Sequence, residues 1–549
     1  MVLSGLPAPA VTAIAGAAIG LVAHLGFFIR GEWHVYAPQI FLFHSLLFGS
    51  LSAGAWYYHG SELGQLFADF LLGGLCYVVT LLTSILTYRV YFHPLTRAGF
   101  KGPWYMRISK LAHVWACRTS LNHLILDEIH KKYGDFARTG PNEITVFHPG
   151  VFAAVDGSGT ECIKSEWFDL LYPDRALITA RVLPVHNARR KDWKLGFSTE
   201  ALHYHQIKAL KHLEMLDKLI EADAKNKRPS QMRDLFYWYG FDFMGDFVFN
   251  KPFNMLGSQK WHHMVVRLQR ALSLLGPASP APWLIQLAFR LGPKIMQLRD
   301  WDQMANWTRK EVQIRLSEGF EKQPAPDLTH YLLEETNQTG DIESVRWMRG
   351  DSLQAIVAGS EPIPVVLLGI FAELAQKPEH IELIYQELQG VDITDAKALS
   401  RLPHLNAVIS ETLRLYPVLL TAGSRKAGKS GVTIGGTYIP PHTTIILPRY
   451  TIQRREDCFV KANEFIPERW TTQRELVINS AANNPWGTGH HSCLARLMAM
   501  DMMRCVTAKL VSKYRFRLAP GDTGRRVLED MKDQLAPNPG KLSLCFELR

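Results

Sequence analysis

The sequence contains no C-x-x-C pair; its seven cysteines stand at 76, 117, 162, 458, 493, 505 and 545. An odd, scattered set encodes neither a disulfide framework nor a cysteine zinc site. A reducing, cytosol-facing domain is expected, in which the glycosylation patterns at Asn306 and Asn337 would go unused. No flavin motif is present, and the Gly-x-Gly at 487–489 has Ser492 where a dinucleotide loop needs its third glycine. Electrons for any redox chemistry must therefore come from a separate protein. The net charge of +10 is not massed in one block, and no nucleic-acid motif accompanies it. That pattern favours an anionic membrane surface or an acidic protein partner. No polar, low-complexity or repeat-bearing linker divides the chain after residue 100. One large domain is expected there, although the length would allow about two to four.

What the first ninety residues do have is long apolar runs. Pro9 to Ile29 is uncharged and long enough to cross a hydrocarbon core, which takes about 20 residues. No basic residue precedes it, which argues against a secretory signal. Ile40 to Tyr57, carrying His44, and Leu66 to Leu86, carrying Asp69, are two further candidates. Residues 1–90 thus read as a membrane anchor with spans near 9–29, 40–57 and 66–86. With the N-terminus in the lumen, three spans put Arg30, Arg89, Arg97 and Lys101 on the cytosolic side, as the positive-inside rule favours. One span with two surface-lying helices is the alternative.

The most informative stretch is Trp486-Gly487-Thr488-Gly489-His490-His491-Ser492-Cys493-Leu494-Ala495. Gly487 and Gly489 allow a tight turn, and the run from Leu494 to Met503 favours helix. A thiol at a helix N-terminus is expected to favour its thiolate, which suits a fifth ligand to haem iron. A lone cysteine is otherwise a small buried hydrophobe, so the rest of the chain decides.

This stretch resembles the haem-binding loop of the cytochrome P450 family, with Trp486 in the aromatic slot and His491 in the basic slot. Further landmarks follow the family's order. Glu411 and Arg414 stand at i and i+3 on one helix face, and Arg469 follows within Phe465-Ile466-Pro467-Glu468-Arg469-Trp470. The resemblance implies that these three form a buried structural triad bracing the cysteine loop. His186, Arg190 and Arg425 align with residues that hold haem propionates. Tyr133-Gly134-Asp135 with Arg138, and Gly431 through Pro441, resemble the family's β segments. Phe241 to Asp246 resembles one of its mid-chain helices.

Ala355 to Pro364 lies in an apolar run reaching Leu374 and reads as a buried helix interrupted midway. It looks like the family's distal helix, where Ala-Gly-x-acid-Thr opens a groove for dioxygen. Ala358, Gly359, Ser360 and Glu361 occupy the first four slots, and Pro362 stands where the threonine belongs. Gly359 is then expected to leave room for the ligand. Proton delivery would use Ser360, Glu361, ordered water or a substrate hydroxyl. Two prolines two residues apart should distort the helix. A plain core helix with a kink is the competing reading.

The resemblance implies a mainly α-helical fold with small β-sheets over 91–549, a haem-thiolate catalytic domain behind the anchor. It implies haem b, electrons from an NADPH-dependent reductase with cytochrome b5 as a second donor, and no nucleic acid. The reductase would dock on a positive face around His490, His491 and Arg496. The chain would sit in the endoplasmic reticulum membrane, facing the cytosol, and insert one atom of O2 into a lipophilic small molecule, as in fungal secondary metabolism. An O2-independent isomerase or dehydratase and a non-catalytic membrane haem protein are the rival classes.

Overall fold

The computed structural model describes residues 7–317, 326–332 and 342–549. Three apolar helices come first: α1 (Ala8–Val22, continued by a π turn to Phe28), α2 (Ala37–Tyr57) and α3 (Glu62–Thr87). The segments read from hydropathy fall on them, and Ala8–Phe28, His34–Tyr57 and Glu62–Arg97 are each long and apolar enough to cross a membrane. Helices α1 and α3 run parallel at glycine-only distance. A Cβ at Gly16 would lie 1.9 Å from the Gly73 carbonyl, and one at Gly20 would lie 2.4 Å from that of Tyr77. Close backbone approach of this kind is how apolar helices associate where burial from water gives no drive.

The chain then builds α4 (Leu183–Leu195), α5 (Thr199–Lys225), α6 (Met232–Phe249), α7 (His263–Ala278), α8 (Pro282–Leu291) and α9 (Met296–Ser317). It continues with α10 (Ile342–Ser360), α11 (Pro362–Gln376), α12 (Pro378–Glu387), α13 (Pro403–Leu415) and α14 (Arg496–Lys513). Helix α6 is mostly apolar around its circumference and is largely buried, Asp242 and Asp246 included. The α10–α11 run is also apolar enough to span a membrane, but most of it is buried inside the protein, so it is a core helix. It breaks at Glu361, whose N–H reaches the Val357 carbonyl at a long 3.4 Å. Pro362 and Pro364 supply no N–H beyond it, the interruption expected from the sequence.

The largest sheet has five strands: β1 (Phe136–Gly140), β2 (Glu143–Val146), β3 (Ile163–Lys164), β4 (Arg425–Lys426) and β7 (Thr444–Ile446), ordered β1-β2-β7-β4-β3. Strands β5 (Val432–Ile434) and β6 (Thr437–Ile439) form a separate hairpin. The antiparallel β3–β4 pair sets Lys164 opposite Arg425. The molecule is mainly helical with small sheets, as expected. Asn306 lies within α9, where the Thr308 hydroxyl is buried against the Met304 carbonyl. Asn337 falls outside the described residues.

Helix α8 packs on α2 and on the turn between α1 and α2. That turn is tied to the large domain: Arg181 and Lys426 bind Glu32, and His34 meets Asp169 at 2.9 Å.

Candidate functional site

The cysteine loop is shaped by two left-handed glycines, Gly487 (φ 67°) and Gly489 (φ 60°). A side chain on Gly489 would also lie 2.0 Å from the Asp156 carbonyl. Trp486 packs partly buried against the core, and its carbonyl accepts from the Cys493 N–H at 2.8 Å. Cys493 itself is exposed, while α14 starts only at Arg496. Enough protein surrounds the residue for desolvation to push its thiol above the usual range, and the Ala495 N–H, Arg190 and Arg496 only partly offset this. The helix end expected to favour a thiolate acts here through the Ala495 N–H, with α14 itself starting at Arg496, and in the protein alone desolvation is the larger influence.

Beside this loop lies a concentration of basic side chains. On α4, Arg190 donates from Nη2 to the Ser492 hydroxyl at 3.1 Å. One turn earlier, His186 meets His491 edge-on, Nε2 to Nδ1 at 3.4 Å. Arg425 grips Asp156 through Nε–Oδ1 at 2.6 Å and Nη2–Oδ2 at 3.1 Å. Lys164 and Arg425 stack on the same ring, Phe168, at 5.3 and 5.5 Å. Lys164 is buried and donates to the Leu177 carbonyl. Among the described residues, neither Lys164 nor Arg190 has a carboxylate partner.

The electrostatics follow. Burial, then repulsion from Arg425 and Arg190, holds Lys164 well below the usual lysine range. Burial and Lys164 bring His186 down to about 4, and the same two causes with Arg425 bring His491 to about 2. His491 is turned inward on His186 and its ring is pushed toward the neutral form, so it adds little to the positive surface expected around it. His490 and Arg496 remain exposed there.

Behind the loop, Glu411 accepts from Arg414 (Nη2–Oε1 2.7 Å, Nε–Oε2 2.9 Å) and from Arg469 (Nε–Oε1 2.9 Å). All three side chains are fully buried. Burial would raise the Glu411 carboxyl, but the two guanidiniums overcome it and hold the group low. Trp470 Nε1 adds a fourth contact at 2.9 Å. Arg414 also donates to the carbonyls of Gln453 and Ala462, and Arg469 to that of Val460. The charges are thereby satisfied, as buried charges must be.

On the α10–α11 run, Ala358 is exposed, and Pro362, one turn on, is half-buried. Gly359 does not leave open space: a Cβ there would lie 2.3 Å from the Met244 Sδ of α6. The reading of Gly359 as room for a ligand is corrected, since its missing side chain admits a methionine. Ser360 is buried and back-bonded to the Ile356 carbonyl at 2.5 Å. Glu361 is turned toward Arg233 and Tyr237 of α6 and Gln269 of α7; burial lifts its carboxyl to about 7. Its Oε1 has no hydrogen-bond partner.

Comparison with known proteins agrees with this geometry. The family pattern for cytochrome P450 matches residues 103–546. Cytochrome P450 monooxygenase FCK2 of Fusarium pseudograminearum is 30% identical over 545 residues, 97% of this chain and 96% of the relative. Cytochrome P450 monooxygenase sthD of Phaeosphaeria nodorum is 33% identical over 491 residues, 87% and 99% of the two chains. Tryprostatin B 6-hydroxylase of Aspergillus fumigatus is 28% identical over 528 residues, 94% and 93%. The chain belongs to the cytochrome P450 family.

The cofactor of a cytochrome P450 is haem, and the donor set here fits it. An exposed cysteine, Cys493, offers a sulfur donor. Buried Lys164 and half-buried Arg190 beside it have no carboxylate partner among the described residues, and such cations call for anions. Lys164 escaped the sequence reading because strand pairing with Arg425, not any local motif, brings it to the site. Trp470 was in the quoted Phe-x-Pro-Glu-Arg-Trp motif, but no spacing rule pointed its indole at Glu411.

Proposed function

We infer that this cytochrome P450 is a membrane-anchored haem-thiolate monooxygenase that inserts one atom of O2 into a lipophilic small molecule of secondary metabolism. The observation that carries the reading is an exposed Cys493 beside a largely buried basic cluster in which Lys164 and Arg190 have no carboxylate partner among the described residues. When bound, haem supplies the iron at which oxygen is activated, and a cysteine ligand favours O–O cleavage.

Each role rests on this chain's own residues. Cys493 would ligate the iron, and Lys164, His186, Arg190, Arg425 and His491 would receive the propionates. Trp486, Gly487 and Gly489 hold the loop's shape, while Glu411, Arg414 and Arg469 brace it from behind. Ala358 lies on the open side of the distal helix, with Gly359 and Met244 fixing that helix against α6. Glu361, with a carboxyl near neutrality, can hold or release a proton at working pH. Its neighbour Ser360 is bonded to the backbone and is the weaker candidate.

Haem b, an NADPH-dependent reductase with cytochrome b5 as accessory donor, and an endoplasmic reticulum site facing the cytosol complete the proposal. The rival isomerase and non-catalytic readings draw no support from relatives named as monooxygenases and a hydroxylase. The test is the reduced, carbon-monoxide-bound spectrum of the full chain, followed by product analysis with reductase and NADPH under 18O2. A thiolate-type spectrum with labelled product is expected. Turnover of a lipid peroxide without reductase or O2 would select the isomerase instead.

A further inference from the structure

Among the described residues, two clusters of metal-ligating side chains lie outside the haem site: Glu32 with His34 and Asp169, and His380 with His404 and Glu468. The first already holds its cations, because Arg181 and Lys426 occupy Glu32 and Arg181 also takes Asp169. The second does not. His380 comes from α12, His404 from the first turn of α13, and Glu468 from the short turn Pro467–Trp470. Three segments distant in sequence thus converge.

All three ligand atoms lie within 4.8 Å of one another, and the two separations from His380 are those of a coordination shell. His380 Nδ1 lies 3.2 Å from His404 Nε2 and 3.6 Å from Glu468 Oε1. Zinc–nitrogen bonds of about 2.0–2.1 Å in a tetrahedron set neighbouring ligand atoms about 3.3 Å apart. The surrounding charge favours a dication as well. The ionisable groups acting on the two rings are Glu468, Glu379, Glu387 and Lys377. Lys377 is turned away, donating to the Phe465 carbonyl at 2.6 Å. Glu387 accepts from the backbone N–H groups of His404 and Leu405 at 2.7 and 3.0 Å. That carboxylate offsets the positive end of α13 that would otherwise repel a cation.

We propose that His380, His404 and Glu468 form a second metal site, suited to zinc, with the fourth position left to water. Two imidazoles and a carboxylate are a set that zinc accepts. The site's position gives it a consequence. His404 opens the helix that carries Glu411 and Arg414, and Glu468 directly precedes Arg469. A bound ion would pin together the two segments of the triad behind the cysteine loop.

The experiment uses the full-length haem-loaded protein without a histidine tag, stripped with a chelator and titrated with zinc chloride. One equivalent of zinc by elemental analysis and a raised melting temperature are expected. His404→Tyr and Glu468→Gln should each weaken binding at least about tenfold, a loss seen even for supporting residues of metal sites. An unchanged reduced carbon-monoxide spectrum shows that the variants remain folded. Zinc binding equal in wild type and both variants would overturn the proposal, because the ion would then sit elsewhere. Absence of binding would also overturn it, leaving a hydrogen bond between two histidines. Neither result touches the monooxygenase reading.

Discussion

Arg181 clasps Glu32 through two parallel hydrogen bonds, Nη1–Oε2 at 2.7 Å and Nη2–Oε1 at 2.8 Å, and Lys426 meets the same carboxylate at 2.5 Å. Burial alone would raise the Glu32 carboxyl, but these two cations hold it at about 2. The turn after α1 is thereby held against the large domain, and beyond the end of α3 Arg89 donates to the Ile108 carbonyl at 2.8 Å, so both ends lie on one side of the apolar helices.

That arrangement predicts topology. In sealed microsomes, tags at residue 1 and near residue 60 should resist added protease. Trypsin from outside should cut after Arg30 slowly in wild type and several-fold faster in Glu32→Ala, which loses a network worth about 1 kcal/mol. Digestion of the residue-60 tag would refute the arrangement.

Lys164 should show effects of opposite sign in the two states. As a buried, unpaired cation it burdens the haem-free chain. Lys164→Met should raise the melting temperature of the apoprotein and hasten haem loss from the holoprotein. Parallel changes in both would show that the lysine serves packing alone.

Gly359 should behave as a packing residue. Gly359→Ala forces the Met244 thioether aside and should cost about 1–3 kcal/mol. A second change, Met244→Ala, should restore much of that, a non-additivity readable in thermal melts of the double variant. Should Gly359→Ala instead alter ligand spectra at unchanged stability, the glycine faces the ligand after all.

Glu361 sets a pH dependence. Its carboxyl, raised from 4.5 to about 7, binds its proton more tightly folded than unfolded. Stability from this group is full below pH 4.5 and is lost as pH climbs toward 7. The loss is at most about 3 kcal/mol. Glu361→Gln should flatten that part of the melting curve against pH, and should send more NADPH electrons to peroxide. Equal peroxide yield in wild type and variant would remove Glu361 from proton delivery.

What the sequence disclosed depended on how local each signal was. The cysteine loop is ten consecutive residues, and Glu411 with Arg414 is one helical turn, so each could be matched to the family's motifs from a short stretch of chain. The apolar helices were legible because hydropathy needs no tertiary partner. Lys164 was not, since its significance arises only when β3 pairs with β4. Gly359 was misread because one missing side chain serves a ligand or a neighbouring methionine equally well. His491 was read as part of a positive face, and burial first, then Lys164 and Arg425, push its ring toward the neutral form. Docking of the Glu32 turn left no trace in composition or periodicity.

The break at Glu361 has a chemical corollary. In an α-helix each carbonyl is served by the N–H four residues ahead, and for Ala358 and Ser360 those residues are Pro362 and Pro364. The Ala358 oxygen is therefore a lone-pair donor without that customary mate, close to where a threonine would have offered a hydroxyl. A hydroxyl can give or take a hydrogen; this oxygen can only take one. Any water or alcohol seated against it must turn a hydrogen toward the backbone and keep its own lone pairs for whatever lies opposite.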